Sequence, residues 1–230
     1  MLDPAGYGAV TITKSISIVN DGAGVAGIQT VPGVNGVTIN AGASDSVHLR
    51  GLTIEGLGTG DTGILFHTGG NLAIENCVIR NFKGAGIGII PTTSSSFSVS
   101  NTIASNNGVG IYVGSNGSVV VAGVLSKVTA NNNGSGIAVF GAVAASVNVT
   151  IVDSVASNNH SFGVEAFSAT GGGAPAVMVR NVVARVAHSV VTGNVLGVDA
   201  NGGTIFSYGD NDIDGNTNNN TAVLTSLAMH

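Results

Sequence analysis

Apolar and polar residues alternate in short bursts along almost the whole chain, and a glycine opens one burst in each period. Gly63-Ile64-Leu65-Phe66, Gly86-Ile87-Gly88-Ile89, Gly110-Ile111-Tyr112-Val113, Gly136-Ile137-Ala138-Val139, Gly163-Val164-Glu165-Ala166 and Gly197-Val198-Asp199-Ala200 recur at intervals of 23, 24, 26, 27 and 34 residues. A second burst follows each, carried by Leu72/Ile74, Phe97/Val99, Val119/Val121, Val147/Val149 and Val177/Val179. A third ends in an apolar residue three before an asparagine: Val78–Asn81, Ile103–Asn106, Val128–Asn131, Val155–Asn158 and Val191–Asn194. Period-two alternation over a few residues marks β-strands. Three such strands per coil of about 25 residues predict an all-β, single-stranded right-handed parallel β-helix, its coils stacked at about 4.8 Å. One domain spans 1–230, with an irregular coil at 163–197 and a closing segment at 207–230. The 34-residue interval is too long for one coil and too short for two, so either a loop bulges out or half a coil is missing. Ala9–Ile18 reads as the first strand. No capping helix precedes it, which implies lost upstream residues or a partner covering that end.

Composition sharpens this picture. The chain has 36 Gly and 24 Asn in 230 residues, against 8 % charged and 4 % aromatic. Low charge with ample hydrophobicity excludes disorder, and no Gly-X-Y run supports collagen. Sharp turns explain the excess, since Gly and Asn tolerate positive φ. Asn81, Asn106, Asn131, Asn158 and Asn194 share one phase and are expected to stack as an amide ladder; His160 falls in the same turn. The net charge of −5 and seven scattered Lys and Arg leave no basic patch for nucleic acid. No apolar stretch is long enough to span a membrane as a helix. Cys77 lies in a strand-like context and reads as structural.

The segments Leu2–Ile12, Leu49-Arg50-Gly51-Leu52-Thr53-Ile54, Ile74-Glu75-Asn76-Cys77-Val78-Ile79 and Ser207–Asn216 resemble the right-handed parallel β-helix, pectate-lyase-like superfamily, and within it bacterial β-helix repeat proteins. The resemblance covers nearly the whole chain. It implies export, to a secreted, periplasmic or cell-surface location, and contact with carbohydrate. It also implies that a site would lie on the face of the first, glycine-led strands. The superfamily hosts lyases, hydrolases and non-catalytic proteins alike, so function must be argued from residues.

If the apolar residues after each leading glycine point inward, two outward columns follow. One is Leu65, Gly88, Tyr112, Ala138, Glu165, Asp199; the other is His67, Ile90, Gly114, Phe140, Phe167, Asn201. Leu65, Ile90, Tyr112, Phe140 and Phe167, with His67 nearby, form a candidate binding face for polysaccharide or for self-association. Glu165 and Asp199 are the candidate catalytic pair, at a spacing that suits retaining glycosidases or a calcium ion; two solvated carboxylates are the plainer alternative. Neither column carries a Lys or Arg to serve a lyase. Asp210-Asn211-Asp212-Ile213-Asp214-Gly215 copies the opening of a calcium loop, although Thr221 replaces the bidentate Glu. Asn216–Asn220 reads as a polar loop and Ala222–Leu227 as a last strand. The favoured expectation is an exported non-catalytic binding or assembly module. The alternative is a polysaccharide lyase or glycoside hydrolase acting through Glu165 and Asp199.

Overall fold

A coil of three strands closes only if the chain reverses at fixed places and returns to the same phase one rung on. The computed structural model describes residues 5–20, 22, 24, 26–142, 145–168, 181–220 and 224–228. Within them the chain forms three nine-stranded sheets, each taking every third strand in order, and every pairing between those strands is parallel. The protein is therefore a parallel β-solenoid, as the periodicity predicts.

The glycine-led strands form one of these sheets, and their inward columns are continuous. Val37, Ile64, Ile87, Ile111, Ile137, Val164 and Val198 stand in direct register, and all are buried. Beside them run Ile39, Phe66, Ile89, Val113, Val139 and Ala166. Like side chains stacked rung on rung build a dry core that no single coil could make alone. Size is matched across rungs: Phe97 is in register with Gly123, where a Cβ would lie 2.6 Å from the phenyl ring.

Turn chemistry corrects the expected ladder by one residue. Asn81, Asn106, Asn132 and Asn158 occupy the left-handed region at φ 61°, 56°, 55° and 54°, and Gly193 takes the same place at 68°. The stacked amides are those immediately after: Asn107, Asn133, Asn159, Asn194 and Asn216. Asn131 belongs to neither set, and of the five expected rungs only Asn194 is in the ladder. Each ladder amide works in both directions. Asn133 Oδ1 accepts from the Asn107 backbone N–H at 2.9 Å and from its Nδ2 at 3.2 Å. Asn133 Nδ2 donates to Ala104 O at 3.0 Å and to Asn159 Oδ1 at 3.2 Å. The first rung is Phe82, whose N–H donates to Asn107 Oδ1 at 3.0 Å.

This ladder also explains the glycine that opens each coil from Gly86 on. A Cβ on Gly86, Gly110, Gly136, Gly163 or Gly197 would sit 2.7–2.8 Å from the ladder amide nitrogen of the next coil. A smaller ladder lies at the preceding turn, between the second and third strands, where Thr102, Ser154 and Ser189 hydroxyls accept from the N–H groups of Cys77, Val128 and Ser154.

Other boundaries move. Ala9–Ile18 is two strands in different sheets, Val10–Ile12 and Ile16–Val19, and the glycine-led pattern reaches back to Gly36-Val37-Thr38-Ile39. The 34-residue interval is one coil, because Phe162–Ser168 pairs directly with Leu196–Asn201. Its second strand is Asn181–Ala187, with Val182, Ala184 and Val186 in the core register; Val177 and Val179 lie outside the described residues. Asn216–Asn220 is not a loop: Asn216 ends the ladder and Asn218–Asn220 joins the glycine-led sheet. Thr225–Ser226 forms the last strand, while Thr221, Ala222 and Val223 lie outside the described residues. At the opposite end Tyr7, Val10, Ile18 and Ile28 line an apolar hollow of about 300 Å³.

Asn133→Ala orphans several buried donors and acceptors at once, and is expected to destabilise the fold by about 2–4 kcal/mol. Asn106→Gly, at a turn position that glycine accepts freely, is expected to change stability by about 0.5 kcal/mol or less. Urea unfolding of the two variants against the parent chain measures both; equal losses would overturn the one-residue correction.

Candidate functional site

The outward face of the glycine-led sheet follows from the same register. Leu65, Gly88, Tyr112, Ala138, Glu165 and Asp199 are successive direct partners, as the alternation predicts. Phe140 pairs with Gly114 on one side and Phe167 on the other. A third outward column escapes simple alternation, because the inward-facing leading glycine shifts the phase of the strand. Ala85, Val109 and Ser135 stand in register there, as do Phe162, Leu196 and Asn218. Val109, Phe162 and Leu196 thereby join the apolar face. The glycine preceding each inward residue is the signal that would have revealed them.

Leu65, Ile90, Tyr112, Phe140 and Phe167 are all half-buried, whereas His67 is exposed. The half-burial has a cause. Tyr112 and Phe140 stack with ring centroids 6.2 Å apart and planes at 26°, and Phe140 and Phe167 at 5.6 Å and 20°. Offset stacks of this kind contribute about 0.5–1.5 kcal/mol beyond the area they bury. Tyr112 reaches the second column by lying across Gly114, where a Cβ would be 3.0 Å from its ring and 3.2 Å from its hydroxyl. Three rungs thus carry one continuous aromatic strip.

Glu165 and Asp199 are direct cross-strand partners, so the long interval between them in sequence does not separate them in space. Adjacent parallel strands are about 4.8 Å apart. Glu165 shares its strand with Phe162 and Phe167, and both carboxylates are half-buried. Burial, and then the charge of Asp199, push the Glu165 carboxyl above its usual range. The Tyr112 hydroxyl is pushed up to about 12 by burial and by the charge of Glu165. Aromatic strip and carboxylate pair therefore form one electrostatically connected patch. A paired acid of this sort can hold a proton, accept hydrogen bonds from sugar hydroxyls or meet a cation.

The remaining candidates fall elsewhere. His67 lies on the rim of a depression of about 320 Å³ shared with Ile90, Pro91, Thr92, Asn116 and Gly117. The three aspartates of the calcium-like sequence are not brought together. Asp212 is in a strand paired with Val190, and Asp210 faces His188 Nε2 at 3.2 Å. Asp214 accepts from the Gly215 N–H at 2.7 Å and from Asn219 Nδ2 at 3.1 Å. Among the described residues no group of three acids, histidines or cysteines could hold a metal ion. Cys77 is buried, with its thiol pushed up to about 11 by burial. His160 Nδ1 lies 3.1 Å from Asn133 O, in a turn.

Comparison with known proteins speaks to the architecture. A family described as right handed beta helix region matches residues 8–123 and, overlapping, 35–218. No curated protein matches the chain, and no solved structure does. Among the described residues no helix is long and apolar enough to cross a membrane.

A raised carboxyl has a defined effect on stability. Folded Glu165 keeps its proton to higher pH than the unfolded chain does, so the folded state binds more protons between the ordinary value of 4.5 and the raised one. Stability falls as pH rises through that window, and the loss persists at neutral pH. Glu165→Gln is expected to raise the urea midpoint at neutral pH, with the gap closing below pH 4.5. A gap of the same size at both pH values would show that repulsion from Asp199 and burial are not acting on this carboxylate.

Proposed function

Because the chain belongs to the right-handed β-helix family, whose coils repeat side chains at a fixed rise, we propose that it is an exported, non-catalytic module binding carbohydrate along the outer face of its glycine-led sheet. The observation that carries this reading is the aromatic strip Tyr112–Phe140–Phe167, continuous over three rungs and ending beside Glu165 and Asp199. A saccharide has apolar CH faces and a polar rim. This patch offers the complement, apolar ring edges in the middle and hydrogen-bond acceptors at one end. The flanking Val109, Phe162 and Leu196 widen the apolar floor, and exposed contiguous apolar area marks interaction surfaces. Export rests on the family resemblance, and is checked by fractionating the producing cell.

A second reading is favoured by one observation, the direct pairing of two carboxylates of which one holds its proton unusually well. Retaining glycosidases place their carboxyl groups about 5–5.5 Å apart. A hydrolase acting through Glu165 as proton donor and Asp199 as nucleophile suits that spacing. A lyase suits it less, because no Lys or Arg stands on the described outward columns.

Binding to a panel of neutral and charged oligosaccharides, followed by calorimetry, tests the first reading. Phe140→Ala, which interrupts the strip at its centre, is expected to weaken binding about tenfold or more, in the range of a lost stacking anchor. Binding unchanged by Phe140→Ala would overturn it. Release of reducing ends that stops on Glu165→Gln would establish the hydrolase instead.

A further inference from the structure

The charge pattern on this face narrows the ligand. Glu165 and Asp199 sit on neighbouring rungs, one strand spacing apart, in surroundings that Phe162, Phe167 and Leu196 make apolar. Along the three outward columns of the described sheet the residues from Leu65 to Asn218 include no Lys or Arg. The one basic side chain, His67, is four rungs from Glu165. Like charges this close repel, and more strongly where water is partly excluded. A uronate or sulfated saccharide laid on the strip would add a third negative charge there. A neutral one would leave the repulsion untouched. A saccharide with protonated amines would relieve it, each ammonium meeting a carboxylate through a charge-assisted hydrogen bond, while its ring faces lie on Tyr112, Phe140 and Phe167. We infer that the ligand of this face is a polysaccharide bearing free amino groups, held by aromatic contacts along the strip and by Glu165 and Asp199 at its end. The inference rests on the carbohydrate reading above.

A lysine-rich peptide could meet the same two charges, but its aliphatic side chains offer no ring face to Tyr112, Phe140 and Phe167. The test compares three probes by calorimetry at mildly acidic pH: a β-linked glucosamine hexamer, its fully N-acetylated counterpart and a galacturonate hexamer. Oligolysine is the fourth. The glucosamine hexamer is expected to bind about tenfold more tightly than the acetylated one, one well-placed charge pair each accounting for a few-fold. The galacturonate hexamer is expected to bind most weakly. The double variant Glu165→Gln, Asp199→Asn should erase the preference for amines, so that the glucosamine hexamer binds no more tightly than the acetylated one. Phe140→Ala should weaken both amino-sugar hexamers. Equal affinity for the two would overturn the amine assignment and leave carbohydrate binding standing. Failure of all three saccharides to bind would overturn both. Oligolysine binding as tightly as the glucosamine hexamer, with no response to Phe140→Ala, would show that charge alone acts here and would also overturn the assignment.

Discussion

Everything in this fold depends on the buried asparagine ladder closing each coil at the same phase as the last. A parallel solenoid gains its core only from neighbouring rungs, so a coil that returned out of phase would expose its own apolar columns and those of the next. The ladder prevents this by binding side chain to backbone across rungs. From Asn133 on, each ladder oxygen accepts the N–H of the Asn one coil earlier, and each ladder nitrogen reaches a carbonyl there as well. These groups are buried, so leaving one unmade costs more than the bond contributes when made. The residue before each ladder position takes positive φ to aim the amide inward. The leading glycine of the rung before lies where any side chain would strike the amide.

That constraint also builds the candidate site. Once every rung is in phase, residues at the same place in successive coils must touch, whatever their chemistry. Aromatic residues therefore stack, and two acids become neighbours despite their mutual repulsion. In sequence, the surplus of the long coil falls between its first strand, Phe162–Ser168, and its second, Asn181–Ala187. The pairing of Glu165 with Asp199 survives because the rung registers on either side are set by Asn159 and Asn194, which bond directly at 2.8 Å. A long insertion at a turn costs little when the strands it joins are held independently.

How much was legible in the sequence follows from the same geometry. Inward columns were readable because period-two alternation over Ile and Val survives any small error in boundaries. The outward columns through Tyr112, Glu165 and Phe140 came with them. Phase at the turns was not readable, since Asn131-Asn132-Asn133 offers three candidates and only backbone dihedrals separate the left-handed one from the buried one. The column Val109–Phe162–Leu196 was hidden because two successive residues, the glycine and the next apolar one, both face inward and break strict alternation. The calcium-like segment was open between an ion loop and a closing turn because spacing alone cannot say that Asp212 is in a strand. A strand sends alternate side chains to opposite faces, whereas an ion needs them converging.

The other two sheets show why the chemistry gathers on one face. In the third-strand sheet Val78, Ile103, Thr129, Val155 and Val190 form an outward column of five rungs, longer than the aromatic strip. It is β-branched throughout, with neither a ring nor a charge in its central rungs. In the second-strand sheet Ser98, Val124, Thr150 and Arg185 stand in register, a column without a ring. On the outward face of the glycine-led sheet small residues, Gly88, Gly114 and Ala138, are interleaved with large ones. That interleaving lets Tyr112 lie across its neighbouring column, and lets the Glu165 charge reach its hydroxyl across the Ala138 rung. A repeat of equal-sized side chains would give a flat and featureless wall. The departures from the repeat, rather than the repeat itself, shape a surface able to select a ligand.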